Sequence, residues 1–180
     1  MTQRRGLRRP AKSEFRIRPA KRDDLDLLVR HRQGMWRDIG LFSPAELRGA
    51  APKYRRWVRR EQRARRFFGF IAETPDGSPT GSGAIWLQPV QPRPRPFDGP
   101  VSPYILSMYT ERDFRGRGVA TLLVAAMIDW ARRRDYPRLT LHASRQGHPV
   151  YARIGFADSN EMRFNIPRIG RGRPASRIRR

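Results

Sequence analysis

The residues with the most chemical promise lie in the turn Arg115-Gly116-Arg117-Gly118-Val119-Ala120. Before it, residues 104–110 have the β-branched and aromatic content of a strand; after it, Val119, Leu122, Leu123, Ala126, Met127 and Trp130 recur at helical spacing. Glycine at 116 and 118 lets an anion approach the free N–H groups of a first helical turn. That positive helix end, with Arg115 and Arg117 beside it, suits a pyrophosphate. The turn lacks the third glycine of a dinucleotide fingerprint and the Gly-Lys-Ser/Thr of a triphosphate loop. Alone, it fits a plain turn as well as a phosphate cradle. The second chemical group is His142, because an imidazole can take up a proton near neutral pH. In the alternating run 138–143 it points opposite to Leu139, Leu141 and Ala143, a pattern that a structural histidine also satisfies. His148 and His31 rank below it.

The elements that must position these groups can be read along the chain. Residues 15–18 alternate as a first strand stopped by Pro19, and Asp23 or Asp24 can cap a helix carrying Leu25, Leu28, Val29, Trp36 and Ile39 as far as Gly40. Ser43-Pro44-Ala45-Glu46 has the form of a capping box that opens a short helix limited by Pro52. Over 53–66, Tyr54, Trp57, Val58 and Glu61 share one face among arginines, as a solvated basic face over an apolar stripe or as a surface that contacts a polyanion. Residues 67–73 and 80–87 read as a hairpin around Pro75-Asp76-Gly77. Residues 89–103, with Pro92, Pro94 and Pro96, read as an extended surface loop. The long helix 118–133 then connects strand 104–110 to strand 138–143, which requires a parallel crossover. A short helix over 149–154 ends at Gly155, and 164–166 reads as a last strand.

A chain of 180 residues suits one domain, expected over 14–166, between basic tails at 1–13 and 167–180 that lack apolar periodicity. The formal net charge of +23 favours polyanionic company, so nucleic acid is open as a partner, and it favours an anionic substrate. Every basic residue except Lys12, Lys21 and Lys53 is arginine, which a coding bias would also produce. Cysteine is absent, which removes disulfides, thiolate metal sites and an acyl-cysteine intermediate; no metal site is expected. With no signal-peptide core and no apolar run of membrane-spanning length, a soluble cytoplasmic protein without a membrane partner is expected.

Arg115-x-x-Gly118-x-Ala120 after a strand, followed one helix and one strand later by Tyr151-Ala152-Arg153-Ile154-Gly155-Phe156, resembles the GNAT superfamily of acetyl-CoA-dependent N-acetyltransferases. The resemblance is sharpest over 104–156 and only topological from about 14 to 103. It implies an α/β (α+β) fold: a mixed, mostly antiparallel sheet flanked by helices, with strands 104–110 and 138–143 parallel and splayed to hold acetyl-CoA. It assigns the N–H groups of Gly116, Arg117, Gly118, Val119, Ala120 and Thr121 to the pyrophosphate, Met108, Tyr109 and Thr110 to the splayed strand, and Tyr151 to protonation of the leaving thiolate. Ser144 stands where many members carry asparagine against the cofactor arm. Members differ in their general base; here His142 is the candidate, and Glu111 lies just past the strand.

The activity implied is direct transfer of acetyl to a primary amine in a ternary complex. A nucleic-acid-binding module on a vestigial fold is the alternative, and another acyl-CoA or a non-amine acceptor is a third reading. Small amine, amino acid, antibiotic and protein N-terminus all stay open as acceptors, and so does the oligomeric state, a homodimer included.

Overall fold

Capping chemistry sets the ends of the first two helices. In this computed structural model, which describes residues 14–91 and 100–162, α1 (Leu25–Ile39) stops at Gly40, whose φ of 79° is left-handed and whose N–H meets the Trp36 and Arg37 carbonyls at 3.1 Å. The Asp24 carboxylate, one residue before α1, receives the Lys21 N–H at 2.6 Å and the Arg18 guanidinium, and makes no cap bond to the helix. The Ser43 box is formed: its hydroxyl accepts the Glu46 N–H at 3.3 Å, and the Glu46 carboxylate accepts the Ser43 N–H at 2.8 Å. It opens α2 (Pro44–Arg63), which runs through Pro52. The expected short helix and the run that follows are therefore one helix. Proline there removes one backbone bond, but Tyr54, Val58 and Glu61 are buried immediately beyond it and tie the second half down by packing.

The sheet contains β1 (Arg16–Pro19), β2 (Phe67–Glu73), β3 (Pro79–Pro89), β4 (Val101–Thr110) and β5 (Thr140–Leu141), lying side by side in chain order. The first four are antiparallel, and β5 joins β4 in parallel after the crossover through α3 (Val119–Arg132). The last described helix, α4 (His148–Ile154), ends at Gly155 with φ 109°.

Two expectations change here. The loop expected over 89–103 is shorter, because β4 already pairs with β3 from Val101 and Pro103 is buried opposite Leu87. Pairing with β5 begins only at Tyr104, so Pro103 sits on an edge, where a missing N–H is tolerated. The strand expected over 138–143 shrinks to Thr140 and Leu141. Its partner bulges: Ala84 faces Leu106 and Ser82 faces Tyr109, with Ser107 at φ 54°. An extra residue bends its strand and sharpens its twist, so β4 and β5 part beyond Ile105 and Leu141. The strand expected at 164–166, the tails at 1–13 and 167–180, and Pro92, Pro94 and Pro96 lie outside the described residues.

Both faces of the sheet are covered. Along β2, Phe67 and Ile71 point to α1 and α2 with Leu28, Val29, Tyr54 and Val58, whereas Phe70 and Ala72 point to α3 with Val119, Leu123, Met127 and Trp130. No described helix is long and apolar enough to cross a membrane.

Candidate active site

A cleft of about 420 Å³ opens where β4 runs into α3. Its walls include Met108, Tyr109 and Thr110 of β4, Arg115, Gly116 and Gly118 of the turn, and Val119, Ala120 and Thr121 of α3. Gly116 and Gly118 have φ of 75° and 83°, and a Cβ built on either would meet nothing within 4 Å. The turn is thus both left-handed and open, as close approach of a ligand to backbone demands. Beyond Ile105 the β5 side of β4 carries no ladder pairing among the described residues, so Met108–Thr110 present a free strand edge to the same cleft. Glycine cradle, helix start and strand edge together fit a long ligand with a phosphate end and an amide arm.

The two arginines of the turn diverge. Arg115 lies at the cleft, donating from Nε to the Thr110 carbonyl at 3.1 Å and pairing with Asp38, which also takes Arg112 Nη2 at 3.0 Å. Burial opposes ionisation of Asp38, yet the Arg115 and Arg112 guanidiniums hold its carboxyl below the usual range. Arg117 is not among the lining residues: its guanidinium stacks 5.2 Å and 5.0 Å from the Phe15 and Phe114 ring centres and pairs with Glu14. Its backbone N–H still belongs to the turn.

A second cleft, of about 770 Å³, lies beside the first between α1, α2 and the first half of β4. Met35, Ile39, Met108, Ser144 and Tyr151 line both, so the two clefts meet there. Tyr151 is at this junction, with its ring edge-on to Phe156 at 5.9 Å and no hydrogen bond from its hydroxyl to another described residue. Burial, with nearby Tyr104 adding to it, pushes the phenol up to about 12, so it stays protonated throughout the neutral range. Ser144 also lines the junction, and its Oγ accepts the Gly147 N–H at 3.1 Å, bracing the entry to α4.

His142 lines the second cleft. Its Nε2 is 2.8 Å from the Glu161 carboxylate and its Nδ1 contacts the Tyr104 hydroxyl. With the carboxylate accepting from Nε2–H, Nδ1 accepts the hydrogen bond that the Tyr104 hydroxyl donates. Glu111 faces elsewhere: it bonds Nε2 of buried His31 at 3.0 Å, while His31 Nδ1 meets Ser82 Oγ at 2.9 Å, and neither His31 nor Glu111 lines either cleft. His148 pairs with Asp158 at 3.0 Å and lines neither cleft. Among the described residues, no group of three or more His, Asp or Glu could hold a metal ion.

Sequence reasoning missed Asp38, Met35, Ile39 and Tyr104 as site residues. Ile39 and Trp36 were visible only as apolar positions of a helix. Tyr104 and His142 carried no shared spacing, since the parallel pairing of β4 with β5 is what brings them together.

Comparison with known proteins agrees with this geometry. The model of the acetyltransferase (GNAT) family matches residues 32–156. A GCN5-related N-acetyltransferase from Ralstonia eutropha JMP134 is 28% identical, with a TM-score of 0.75 over 84% of this chain and 98% of that one. A predicted acetyltransferase from Clostridium acetobutylicum, solved with acetyl-CoA, is 27% identical, with a TM-score of 0.74 over 84% of this chain and 96% of that one. A ribosomal-protein-alanine N-acetyltransferase from Brucella melitensis biovar Abortus 2308, 20% identical with a TM-score of 0.63 over 85% and 98% of the two chains, shares the fold. No curated protein sequence matches the chain. With a family model covering most of its length and the strand, glycine turn and helix set out as that family has them, the chain belongs to the acetyltransferase (GNAT) family.

Proposed function

We propose that the protein is an N-acetyltransferase that takes acetyl from acetyl-CoA and passes it directly to a primary amine, with both substrates bound at once. The observation that carries this reading is the meeting of two clefts at Met108, Ser144 and Tyr151. One has the features of a pyrophosphate and amide-arm site, and the other is large enough for a second substrate. Acetyl-CoA supplies the activated acetyl thioester. The chain does the rest by binding, aligning and moving protons.

The N–H groups of Gly116–Thr121 hold the pyrophosphate, and the free edge at Met108–Thr110 takes the amide arm as an added strand. A main-chain N–H of that edge faces the thioester carbonyl and stabilises the oxyanion that develops. The Tyr104–His142 pair accepts the proton released by the amine: the phenol relays it to Nδ1, and Glu161 steadies the imidazolium. As the nitrogen–carbon bond forms and the carbon–sulfur bond breaks, Tyr151 gives its proton to the departing thiolate, and solvent later returns one to it.

The test joins binding to turnover. Acetyl-CoA should raise the unfolding temperature of the full chain, by mass action on the folded state, and a panel of primary amines should include one that releases free thiol from it. No thermal response, together with no thiol release from any amine, would overturn the reading. Retention on nucleic acid without any response to acetyl-CoA would point to the binding module instead.

A further inference from the structure

The second cleft is walled by aromatic rings and holds one half-buried cation with no acidic partner among the described residues. Trp57 stands at the centre of the wall, with its ring 5.8 Å from Tyr54 and 5.3 Å from Trp86. Between α1 and α2, the Arg32 guanidinium lies 4.3 Å from the Tyr54 ring centre and 5.5 Å from that of Trp36. A guanidinium carries five N–H donors, and among the described residues Arg32 makes one hydrogen bond, from Nη1 to Ser107 Oγ at 3.3 Å. No carboxylate of the described residues pairs with it, whereas Arg55 pairs with Asp26 and both Arg60 and Arg66 pair with Glu61. None of the residues lining this cleft is Asp or Glu, and its other cation, Lys53, stands at the exposed rim. Burial lowers the Arg32 pKa, which marks it as poorly solvated, yet an arginine stays charged at any physiological pH.

We propose that Arg32 is the specificity-determining residue of the acceptor cleft and that it receives the carboxylate of an acceptor carrying both amine and carboxylate, an α-amino acid with an apolar or aromatic side chain. This rests on the N-acetyltransfer reading above. A half-buried cation stacked on rings and short of acceptors is completed by an anion that brings two oxygens in a plane. One guanidinium matches one carboxylate; a phosphate dianion calls for a second cation at the same depth, and Lys53 is not there. Position sets the spacing. Ser107, which Arg32 touches, immediately precedes Met108 at the junction of the clefts, so a carboxylate held there lies close to the reacting amine, as in an α-amino acid. The aromatic wall then takes the side chain. A polycationic acceptor finds no carboxylate in this cleft and meets Arg32 as a like charge.

Matched acceptors test this. Phenylalanine and leucine are compared with phenylalaninamide, leucinamide, phenethylamine and isoamylamine, by thiol release from acetyl-CoA and by calorimetric binding to the full chain saturated with CoA. The amino acids should exceed their uncharged counterparts by roughly ten- to a hundredfold in kcat/KM and in affinity, the range of a charge-assisted hydrogen-bonded pair. Arg32→Gln should bring that ratio close to one while acetyl-CoA still raises the unfolding temperature as in wild type, and Arg32→Lys should restore part of it. Equal or better binding and turnover of the amides and simple amines would overturn the proposal while leaving acetyl transfer standing. Absence of thiol release from every amine would count against acetyl transfer, and the binding comparison on wild-type protein would still decide the role of Arg32, whether or not the variants fold.

Discussion

Tyr151 stands where two clefts join, held by α4, with a phenol that burial keeps protonated. Tyr151→Phe keeps the ring against Phe156 and removes only the oxygen. It should leave acetyl-CoA affinity near wild type and lower the single-turnover rate by roughly ten- to ten-thousand-fold, the range for loss of a positioned general acid. An unchanged rate in a chemistry-limited assay would make the residue a packing group. Tyr104→Phe separates the other proton path: the variant should lower the single-turnover rate by roughly ten- to ten-thousand-fold while acetyl-CoA still raises the unfolding temperature as in wild type, and an unchanged rate would remove the phenol from the relay. Residue identities at the site were legible where a motif carried them, as for Gly118 and Tyr151. They were not legible for Arg32 or Asp38, whose significance depends on which charges lie near them in space. One cation among so many shows nothing in sequence; its lack of a carboxylate is a fact of packing.

At the scale of elements, the turn before α3 and the bulge in β4 build the first cleft, and each gives a prediction. Gly118→Glu should abolish the rise in unfolding temperature that acetyl-CoA causes, because its carboxylate opposes the pyrophosphate in the space now open. Its left-handed φ should also cost roughly 1–2 kcal/mol of stability. Gly77, with φ 89° in the β2–β3 hairpin and equally open, is the reference: Gly77→Glu should lose similar stability by urea titration and keep the full response to acetyl-CoA. Ser107 bends β4 at φ 54° while its hydroxyl lies 3.2 Å from that of Tyr54. Ser107→Val, β-branched at a left-handed position, should cost on the order of 1–3 kcal/mol by urea titration, whereas Ser107→Gly should stay within about 1 kcal/mol of wild type. The bulge was invisible in sequence, since serine is not a residue that announces a left-handed backbone, and with it went the true length of β5. Pro52 failed the other way: a strong local breaker was overruled by burial of Tyr54, Val58 and Glu61 on the same helix.

Over the whole molecule, several groups make folding sensitive to acid. Arg66, and then Arg60 and the Trp86 indole, hold the buried Glu61 carboxyl down to about 2; Arg16 and Arg18 lower Glu73, and Arg18 lowers Asp24. Carboxylates depressed in the fold contribute stability that is present above their unfolded range, near about 4, and is lost as pH falls toward the folded values. Burial pushes His31 down to about 4, so the unfolded chain takes up that proton first, and the contribution of His31 is complete above about 6.5 and lost between there and about 4. Urea midpoints should therefore be level above pH 7, decline from about 6.5, and fall faster below about 4.5; His31→Gln should flatten the upper part alone. The one parallel pair was legible from the crossover length, whereas the mostly antiparallel sheet around it was implied only by the resemblance that the 104–156 motifs carry. What sequence did not reveal is that, apart from the residues at their junction, the two clefts draw on different positions. Trp36, Ala50, Lys53 and Trp57 face only the second cleft, while the glycine turn and the start of α3 face only the first. Substitutions at such positions of α1 and α2, away from Met35, Asp38 and Ile39, can therefore accumulate in a lineage without disturbing the turn, and a descendant of this chain can take up a new partner molecule while inheriting the other half of its chemistry unaltered.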